Sequence, residues 1–568
     1  MKNRIFAILA ALCLLTSCKG MLDEVNYGNP TVEDMMTSED NVVLLVGQAY
    51  AEIKWMHDHW GYWGVSSLTA DECICPIRMP KEDWSDGNYW RKLNTHKWTD
   101  QAAAFEKIWN TTISGAVLCN KLIQTIEDYK ESMSETVYKQ YLGELEVMRC
   151  YYYYLLFDCF GRIPYLEEYT SESHDPLMEP QDVWSHLVAC LEKNAPNMAV
   201  VTDANRAQNY GRTTQGMAYT LLARLYLNAE SFGCTPQNIT APEGVTINST
   251  ADFYTNAVRC CDKVIDSGSY SIEDNFFDNF LIYNEGSREN IFVIVENGVS
   301  GLDERDDGTG KMMNKLRITL LTLNYGMQET YAMQIEPWNG FCAREKFIDR
   351  YNLRDVRGPG DEGKGTLNEK QWGWFVGPIY NRAGTAIVKD RDDVDKDDVI
   401  VKQVTSLTEA TNQDGARCLK YEIDKNGAFK YCENDFVLLR YADVLWMKEE
   451  AILRGGQGVS GANTADFKKM KARAFAYDNG ESSFDAAYPA ALTLDGILDE
   501  RGREFAWECV RRRDLIRFGK YNDPTYIEWI ETNTSDTYRN WFPIPYNILE
   551  KSYVDENGQK VWTQNTGY

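Results

Sequence analysis

The strongest constraint on the fold of this chain is the recurrence of apolar residues at helical spacing in several long segments. Residues three and four apart share one face of a helix, so each such segment must bury that face against another element. In 135–160, for example, the Ser132-x-x-Glu135 pattern of a capping box precedes the apolar face and Gly161 follows it. The same reasoning predicts helices over 41–56, 102–128, 181–194, 213 or 214–229, 250–267, 436–454, 465–477 and 494–519.

These helices, paired in order, make about four helix hairpins, the unit of tetratricopeptide-type stacks. The repeat is degenerate, because no full tetratricopeptide consensus is present. Residues 268–435 interrupt the series; they are rich in Gly, Asn, Asp and aromatic residues, with short strand-like runs such as 290–296. We predict a mainly α fold in which a helical scaffold covers about 39–267 and 436–520. An elaborated region, about 58–100 and 268–435, packs on it, and binding residues concentrate on such scaffold-held loops.

The charge of the chain argues against one class of partner. The 568 residues include 85 acidic and 59 basic side chains, for a formal net charge of −26. A body this acidic repels phosphates, so nucleic acid is not an expected partner. The run Arg511-Arg512-Arg513 lies among Glu500, Glu504, Glu508 and Asp514, which predicts a salt-bridged helix.

The chain contains 15 cysteines. A chain of this length buries a core of its own and does not need disulfide bonds to hold it. Most of the cysteines fall within apolar helical patterns, so we predict that they pack as small buried hydrophobic side chains. Cys73-x-Cys75 and Cys260-Cys261 lack the spacing and partners of a zinc site.

The N-terminus indicates export. Lys2 and Arg4 precede an apolar run over 5–15, which leads into Leu-Thr-Ser-Cys18. A charged start, a short apolar core and small residues at the end make a secretory signal, and the run is shorter than the ~20 residues of a spanning helix. The cysteine resembles that of a bacterial lipobox, which predicts a lipoprotein signal at 1–17 and a lipid on Cys18. The alternative is a plain secretory signal with an incidental cysteine.

Ordered motifs along the mature chain resemble those of one family. The stretch from Asp495-Gly-Ile-Leu-Asp-Glu-Arg through Arg517 resembles the C-terminal signature of SusD/RagB proteins, as do Phe-Pro-Ile-Pro545 and the terminal Gln-Asn-Thr-Gly-Tyr568. One departure is Cys509, where the family usually has a glycine. The resemblance covers 18–568 as a single SusD-like domain, and three internal blocks also match, over 148–164, 218–226 and 440–445.

This resemblance implies a glycan-binding lipoprotein of the outer membrane, anchored by its lipid and facing the cell exterior. In the family such a protein is a lid on a SusC-like TonB-dependent transporter, to which it passes oligosaccharides. The tetratricopeptide-type helices face the transporter, and the elaborated region forms the ligand site. The resemblance therefore implies binding without catalysis.

The residues themselves offer a candidate sugar site, since the chain has 16 Trp and 34 Tyr. Sugars have apolar C–H faces and hydroxyl rims, so a site needs flat aromatic side chains beside polar groups. Two stretches have this mixture, one from Asp71 to Trp98 and one from Trp338 to Tyr380, although any single tryptophan could instead belong to the core. The predicted glycan contacts are Asp71, Arg78, Trp84, Asn88, Trp90, Trp338, Trp372, Trp374 and Tyr380.

Other functions have weaker support. The sequence has neither a Gly-x-Ser-x-Gly elbow nor a His-Glu-x-x-His metal helix. A glycosidase remains an alternative, because 85 acidic residues make chance carboxylate pairs suited to glycoside hydrolysis abundant. The alternatives to glycan uptake are an exported tetratricopeptide-type scaffold without a sugar ligand and a surface glycosidase.

One acidic segment raises the question of calcium. It lacks the glycine and the final glutamate that an EF-hand loop requires, so we predict a solvated loop and no cofactor. A structural calcium ion, which some members of the family hold, is the alternative. The acidic residues are Asp390, Asp392, Asp393, Asp395, Asp397 and Asp398.

The lipid anchor can be tested by Cys18→Ser. We expect this substitution to abolish lipidation and to leave the protein soluble or uncleaved, because only a cysteine thiol accepts the thioether-linked lipid. Detergent partitioning of cells that lack the transporter measures the change. If the Cys18→Ser protein still fractionated with membranes in those cells, the lipid-anchor prediction would be wrong.

Overall fold

A computed structural model of the chain describes residues 35–36, 39–170, 175–296, 318–359, 372–390, 397–424, 433–528, 530–531 and 535–568. The predicted signal, Cys18 and the central part of the acidic segment, with Asp392, Asp393 and Asp395, lie outside these residues. Within the described ranges, no helix combines the length and the apolar character needed to cross a membrane.

The described residues form a mainly α structure with short antiparallel strand pairs, β1 with β6, β2 with β5 and β3 with β4. The helices are α1 (Glu39–Gly47), α2 (Tyr62–Leu68), α3 (Tyr89–Asn94), α4 (Ala103–Asp128), α5 (Glu135–Phe160), α6 (Pro180–Asn194), α7 (Arg206–Asn209), α8 (Gln215–Leu227), α9 (Thr250–Asp266), α10 (Ile318–Thr322), α11 (Met327–Tyr331), α12 (Glu345–Ile348), α13 (Tyr441–Leu453), α14 (Ala465–Ala474), α15 (Glu481–Ala487), α16 (Leu494–Glu504), α17 (Arg511–Arg517), α18 (Pro524–Ile527) and α19 (Tyr546–Lys551). The strands are β1 (Asn290–Ile294), β2 (Gly373–Phe375), β3 (Gly377–Pro378), β4 (Ile400–Val401), β5 (Arg417–Leu419) and β6 (Phe436–Arg440).

The long helices pack in chain order, α4 on α5, α5 on α6, α6 on α8, α8 on α9 and α9 on α13. Thr214 caps α8, as predicted, because its side chain accepts a hydrogen bond from the Met217 amide. The cap of α5 is Ser134 rather than Ser132, since Ser132 belongs to a preceding 3-10 turn. All residues of α5 from Val147 to Phe160 are buried, which places this helix in the centre of the scaffold.

Three predicted helices are interrupted. The predicted helix 41–56 is α-helical only as far as Gly47 and continues as the 3-10 segments Gln48–Tyr50 and Glu52–His57. Residues 436–440 form β6 instead of the first turn of α13, because this apolar run is buried on both faces and pairs with β1; periodicity alone cannot separate such a strand from a buried helix. The predicted helix 494–519 divides into α16 and α17. Trp507 and Cys509 between them have φ of 64° and 62°, which a right-handed helix cannot accommodate. The left-handed backbone at Cys509 explains why a glycine suits this position.

The cysteine prediction is confirmed for the described residues. All twelve cysteines there are free thiols, and ten of them are buried. The described residues also contain no group of three or more His, Cys, Asp or Glu side chains arranged to hold a metal ion.

A buried ion network joins the scaffold to the elaborated region. Glu504, at the end of α16, accepts hydrogen bonds of 2.7 Å from Arg357, Arg440 and Arg473. Arg440, at the end of β6, also donates to Glu289 beside β1 at 2.7 Å. All five side chains are buried, so each charge depends on its partners for the solvation that water would provide.

The run Arg511-Arg512-Arg513 is salt-bridged, as predicted, but its partners are distant in the sequence. Arg511 donates to both carboxylate oxygens of Asp71, at 2.7 and 2.9 Å. Arg512 and Arg513 both donate to Asp158 of α5. These pairs fasten α17 to the N-terminal half of the chain.

Acid should unfold this protein through its buried carboxylates. Burial alone would raise the pKa of Asp443, but Arg224 and Arg501 lower it from 3.8 to about 2. Because the folded pKa lies below the ordinary one, the stabilisation is complete above about pH 5 and is lost as the pH falls towards about 2. We expect protonation of Asp443 alone to reduce the free energy of unfolding by on the order of 2 kcal/mol over this pH range. Denaturant titrations across the pH range measure the loss.

Asp443→Asn is the matched variant. It should be less stable than the parent at neutral pH and should approach the parent in strong acid, where both side chains are uncharged. A parent that kept its full free energy of unfolding at about pH 2 would contradict an ionised Asp443 held between Arg224 and Arg501.

Candidate functional site

Aromatic side chains from both predicted stretches meet in one place. The Trp84 ring lies 6.1 Å from that of Trp90, 6.5 Å from that of Trp338 and 5.4 Å from that of Phe341, measured between centroids. The Trp84 indole N–H also donates to the Trp338 carbonyl at 2.9 Å. The structure therefore joins the middle of the first stretch to the start of the second.

Sequence reasoning missed one member of this group. Trp60 stacks on Tyr89 with ring centroids 4.7 Å apart and ring planes inclined by 26°. Trp60 also packs 4.4 Å from Trp90. The signal was present, because Trp60 lies in the aromatic-rich run 55–63 together with Trp55, Tyr62 and Trp63.

Four of these rings are half-buried and so retain exposed surface. We call them the aromatic platform; they are Trp60, Trp84, Tyr89 and Trp338. Beneath them lie the buried side chains of His59, Trp90 and Phe341, each in ring contact with members of the platform. Buried rings of this kind hold the exposed ones in fixed orientations.

The loop that carries Trp84 has an unusual backbone. Glu82, Trp84, Asp86 and Asn88 have φ of 58°, 65°, 34° and 63°. A left-handed conformation costs about 1–2 kcal/mol at a residue with a side chain. Backbone strain of this kind persists only where the surroundings impose it, and it concentrates at ligand-binding sites.

Arg78 fixes the base of this loop. Its guanidinium is fully buried and donates to the carbonyls of Thr411, Asp414 and Gly340 at 2.7, 3.0 and 3.0 Å. The main chains of Arg78 and Asp83 also exchange hydrogen bonds of 3.0 and 3.1 Å. Arg78 therefore positions the loop and offers no surface to a ligand, which corrects the prediction of a direct contact.

Asp71 is likewise an interior residue. Only 1% of its surface is exposed, and its carboxylate is occupied by Arg511 and by Arg350 at 2.9 Å. Burial by itself would raise the pKa of Asp71, but the two guanidinium groups hold it well below its usual range. The two arginines balance the charge of Asp71 inside the protein, so its predicted contact with a sugar is wrong for this structure.

Two predicted tryptophans are also core residues. Trp90 is buried, and its indole N–H donates to Asp86 at 2.6 Å. This hydrogen bond connects α3 to the loop that carries Trp84. Trp374 is buried between Phe347 and Trp507, with centroids 5.9 and 5.5 Å away. Neither ring has a face free for a sugar.

Of the remaining predicted residues, one lies beside the platform and two lie elsewhere. Asn88 is exposed beside the platform, at the end of the strained loop. Trp372 is half-buried and packs on Phe277 with centroids 5.2 Å apart. Tyr380 is half-buried, and its carbonyl accepts a hydrogen bond of 2.7 Å from Thr330. Trp372 and Tyr380 thus belong to other parts of the elaborated region.

The rim of the platform is polar and acidic. Glu82, Asp86 and Asn88 are exposed, while Asp83 is half-buried and accepts a hydrogen bond of 3.0 Å from Tyr325. These groups can accept hydrogen bonds from hydroxyls, and the Asn88 amide can also donate. The surface therefore combines flat apolar rings with a rim that suits a neutral, hydroxyl-rich molecule.

Two family models match the chain. Residues 318–568 match the SusD family, and residues 75–227 match a family described as starch-binding and associating with the outer membrane. This chain belongs to the SusD/RagB family. The second match includes Trp84 and Tyr89 of the platform, and the first includes Trp338.

Known relatives of this SusD/RagB protein agree in sequence and fold. The starch-binding protein SusD of Bacteroides thetaiotaomicron is 22% identical over 529 residues, which cover 89% of this chain and 84% of the relative. Surface glycan-binding protein A from Bacteroides fluxus has a TM-score of 0.66 at 21% identity, over 94% of this chain and all (100%) of that one. The Bacteroides thetaiotaomicron protein of that name, solved in complex with laminarihexaose, has a TM-score of 0.64 at 19% identity, over 93% and 99%. These structures confirm the mainly α, SusD-like fold.

Gly340→Ala tests how tightly the platform is built. A Cβ at Gly340 would lie 2.3 Å from the Trp84 ring, so the ring must move and its hydrogen bond to Trp338 must weaken. We expect a loss of about 1–3 kcal/mol in the free energy of unfolding and a changed tryptophan emission spectrum. Gly286→Ala is the control, because a Cβ there meets nothing within 4 Å. Equal stability and equal spectra for the two variants would contradict the close packing of Trp84.

Proposed function

We propose that this protein binds an oligosaccharide on the aromatic platform and delivers it to a SusC-like TonB-dependent transporter of the outer membrane. The observation that carries the proposal is the platform itself, four half-buried rings gathered from distant parts of the chain beside a strained loop. Rings that belong wholly to a core are buried, whereas each of these four retains exposed surface.

The chemistry of the platform suits a sugar. An indole or phenol ring stacks on the C–H face of a pyranose, and the rim groups Glu82, Asp86 and Asn88 can bond its hydroxyls. The mixture of apolar rings and few polar groups is typical of small-ligand sites. The names of the relatives, starch-binding protein and surface glycan-binding protein, support a glycan as the ligand class.

The two alternative functions fit the structure less well. An exported scaffold without a ligand has no need for a strained loop that presents tryptophan. A glycosidase needs an acid with a raised pKa that reaches the substrate. Burial raises the pKa of Glu72 to about 8 and that of Asp435 to about 6. Both are buried side chains. Burial also raises the pKa of Asp278, which belongs to the turn Phe276–Phe280 and not to the platform. None of these three acids is therefore placed to protonate a glycosidic oxygen of a sugar on the platform.

The family and the N-terminus support the proposed location and partner. The lipobox-like Cys18 and the family description support attachment to the outer membrane. In this proposal the helical scaffold, 39–267 and 436–520, faces the transporter. The elaborated region, 58–100 and 268–435, then faces the incoming glycan, so that the protein acts as a lid of a single SusD-like domain.

The binding site can be tested by removing platform rings. Trp60→Ala and Trp338→Ala should each weaken oligosaccharide binding roughly tenfold or more, about 1.4 kcal/mol, because each removes a stacking face and the exclusion of water around it. The parent should bind with a Kd between about micromolar and millimolar, as expected for one or two stacked sugar rings. A glycan screen by calorimetry identifies the ligand and then measures these variants.

Trp372→Ala is the matched control, since Trp372 is also half-buried but packs on Phe277 away from the platform. It should bind as the parent does. Each variant must also keep the Tm of the parent, because a lower Tm would indicate a core role. Unchanged binding in both platform variants would exclude this site. Release of new reducing ends from the glycan would instead favour the glycosidase.

The partnership makes a separate prediction. Affinity purification of this protein from outer membranes in mild detergent should recover a large TonB-dependent barrel in nearly equal amount. A lid must be held firmly enough to close the barrel, so the complex should survive washing. Recovery of this chain alone would count against the lid role and would leave glycan binding untouched.

A further inference from the structure

The antiparallel packing of α5 and α6 brings two cysteines opposite each other. Near the segment that connects the helices, Ile163 and Met178 pair through main-chain hydrogen bonds of 2.8 and 3.4 Å. At the far end, the Asn194 side chain donates to the Glu146 carboxylate at 2.6 Å. The two helices therefore keep one register along this whole contact.

Cys150 and Cys190 lie between these two points. Cys150 follows Glu146 by four residues on α5, and Cys190 precedes Asn194 by four residues on α6. Residues four apart share a helix face. Because the helices are antiparallel and Glu146 contacts Asn194, one helical turn towards the connecting segment brings Cys150 of α5 opposite Cys190 of α6.

Direct contacts agree with this register. The Cys190 thiol donates to the Glu146 carbonyl at 3.9 Å, in the turn of α5 that leads to Cys150. The Asn194 amide lies 3.6 Å from the Cys190 sulfur. Neither thiol is part of a disulfide in this structure.

We propose that Cys150 and Cys190 are a redox-sensitive pair that closes to a disulfide when the protein meets an oxidant outside the cytoplasm. The bond would link the centre of α5 to α6 and thus fix one helix hairpin of the scaffold. Disulfides persist in exported proteins because their surroundings are oxidising. The proposal draws on the export signal for its setting and is independent of glycan binding.

The positions of the two thiols define the order of the reaction. Cys190 is half-buried and Cys150 is fully buried, so a soluble disulfide such as oxidised glutathione meets Cys190 first. The neighbouring Cys150 thiol lowers the pKa of Cys190, while burial raises the pKa of Cys150. Cys190 is therefore the better nucleophile.

The exchange balances as an ordinary thiol–disulfide reaction. The Cys190 thiolate attacks one sulfur of glutathione disulfide, the S–S bond breaks, and one glutathione thiolate leaves. Cys150 then gives up its proton, and its sulfur attacks the Cys190 sulfur and displaces the second glutathione. The two protein thiols are oxidised by two electrons, and one glutathione disulfide is reduced to two thiols.

Peptide mapping tests the pair. The purified mature protein is incubated with oxidised glutathione, unfolded in excess alkylating agent without reductant, and digested. We expect the peptides of Cys150 and Cys190 to be joined, and the link to disappear after dithiothreitol. The cross-link closes a long loop in the unfolded chain, so it should also raise Tm by about 2–4 °C.

Cys190→Ala should lose both the link and the rise in Tm, while Cys119→Ala, which removes a buried cysteine of α4, should keep them. Comparison of the reduced forms shows whether either substitution affects folding. Three results overturn the proposal: alkylation of both thiols after oxidation, a stable mixed disulfide of glutathione with Cys190, or a link that involves another cysteine.

Discussion

The carboxylate of Glu504, with three arginines at 2.7 Å, is the contact on which the arrangement of this protein depends. Its partners come from β6, from α14 and from the segment that follows α12. Removing one member of a buried ion pair costs about 3–5 kcal/mol, because the remaining charge stays without solvent. Each segment must therefore adopt the position that completes the network, and the elaborated region is held in one orientation on the helices.

The same principle extends from the scaffold to the binding surface. Arg511 of α17 holds Asp71, and the Trp507 amide donates to the neighbouring Glu72 at 3.0 Å. Arg78, a few residues later, is enclosed by carbonyls of the elaborated region. The chain thus enters the loop that carries Trp84 from a rigid base. Rigid support of this kind keeps the strained loop and its tryptophan in place before a ligand arrives.

The sequence predicted the helical part of this structure well, since periodicity and capping residues are local signals. It could not predict that 436–440 is a strand, because the partner strand lies far away in the chain. Which residues of the site are buried was harder to predict from the sequence. Asp71, Arg78, Trp90 and Trp374 have the chemistry of sugar contacts, but long-range ion pairs and ring packing place them inside. Trp84, Asn88 and Trp338 lie at the surface, and the same long-range packing adds Trp60 to them.

The most direct measurement of the central claim is a crystal structure of this protein with its oligosaccharide. We expect a sugar ring stacked on Trp60, Trp84 or Trp338, with hydroxyls bonded to the rim that includes Asn88. We also expect Arg78 and Asp71 to keep their interior partners in the complex. A sugar bound against Trp372 or Tyr380, with the platform empty, would contradict glycan binding on the platform.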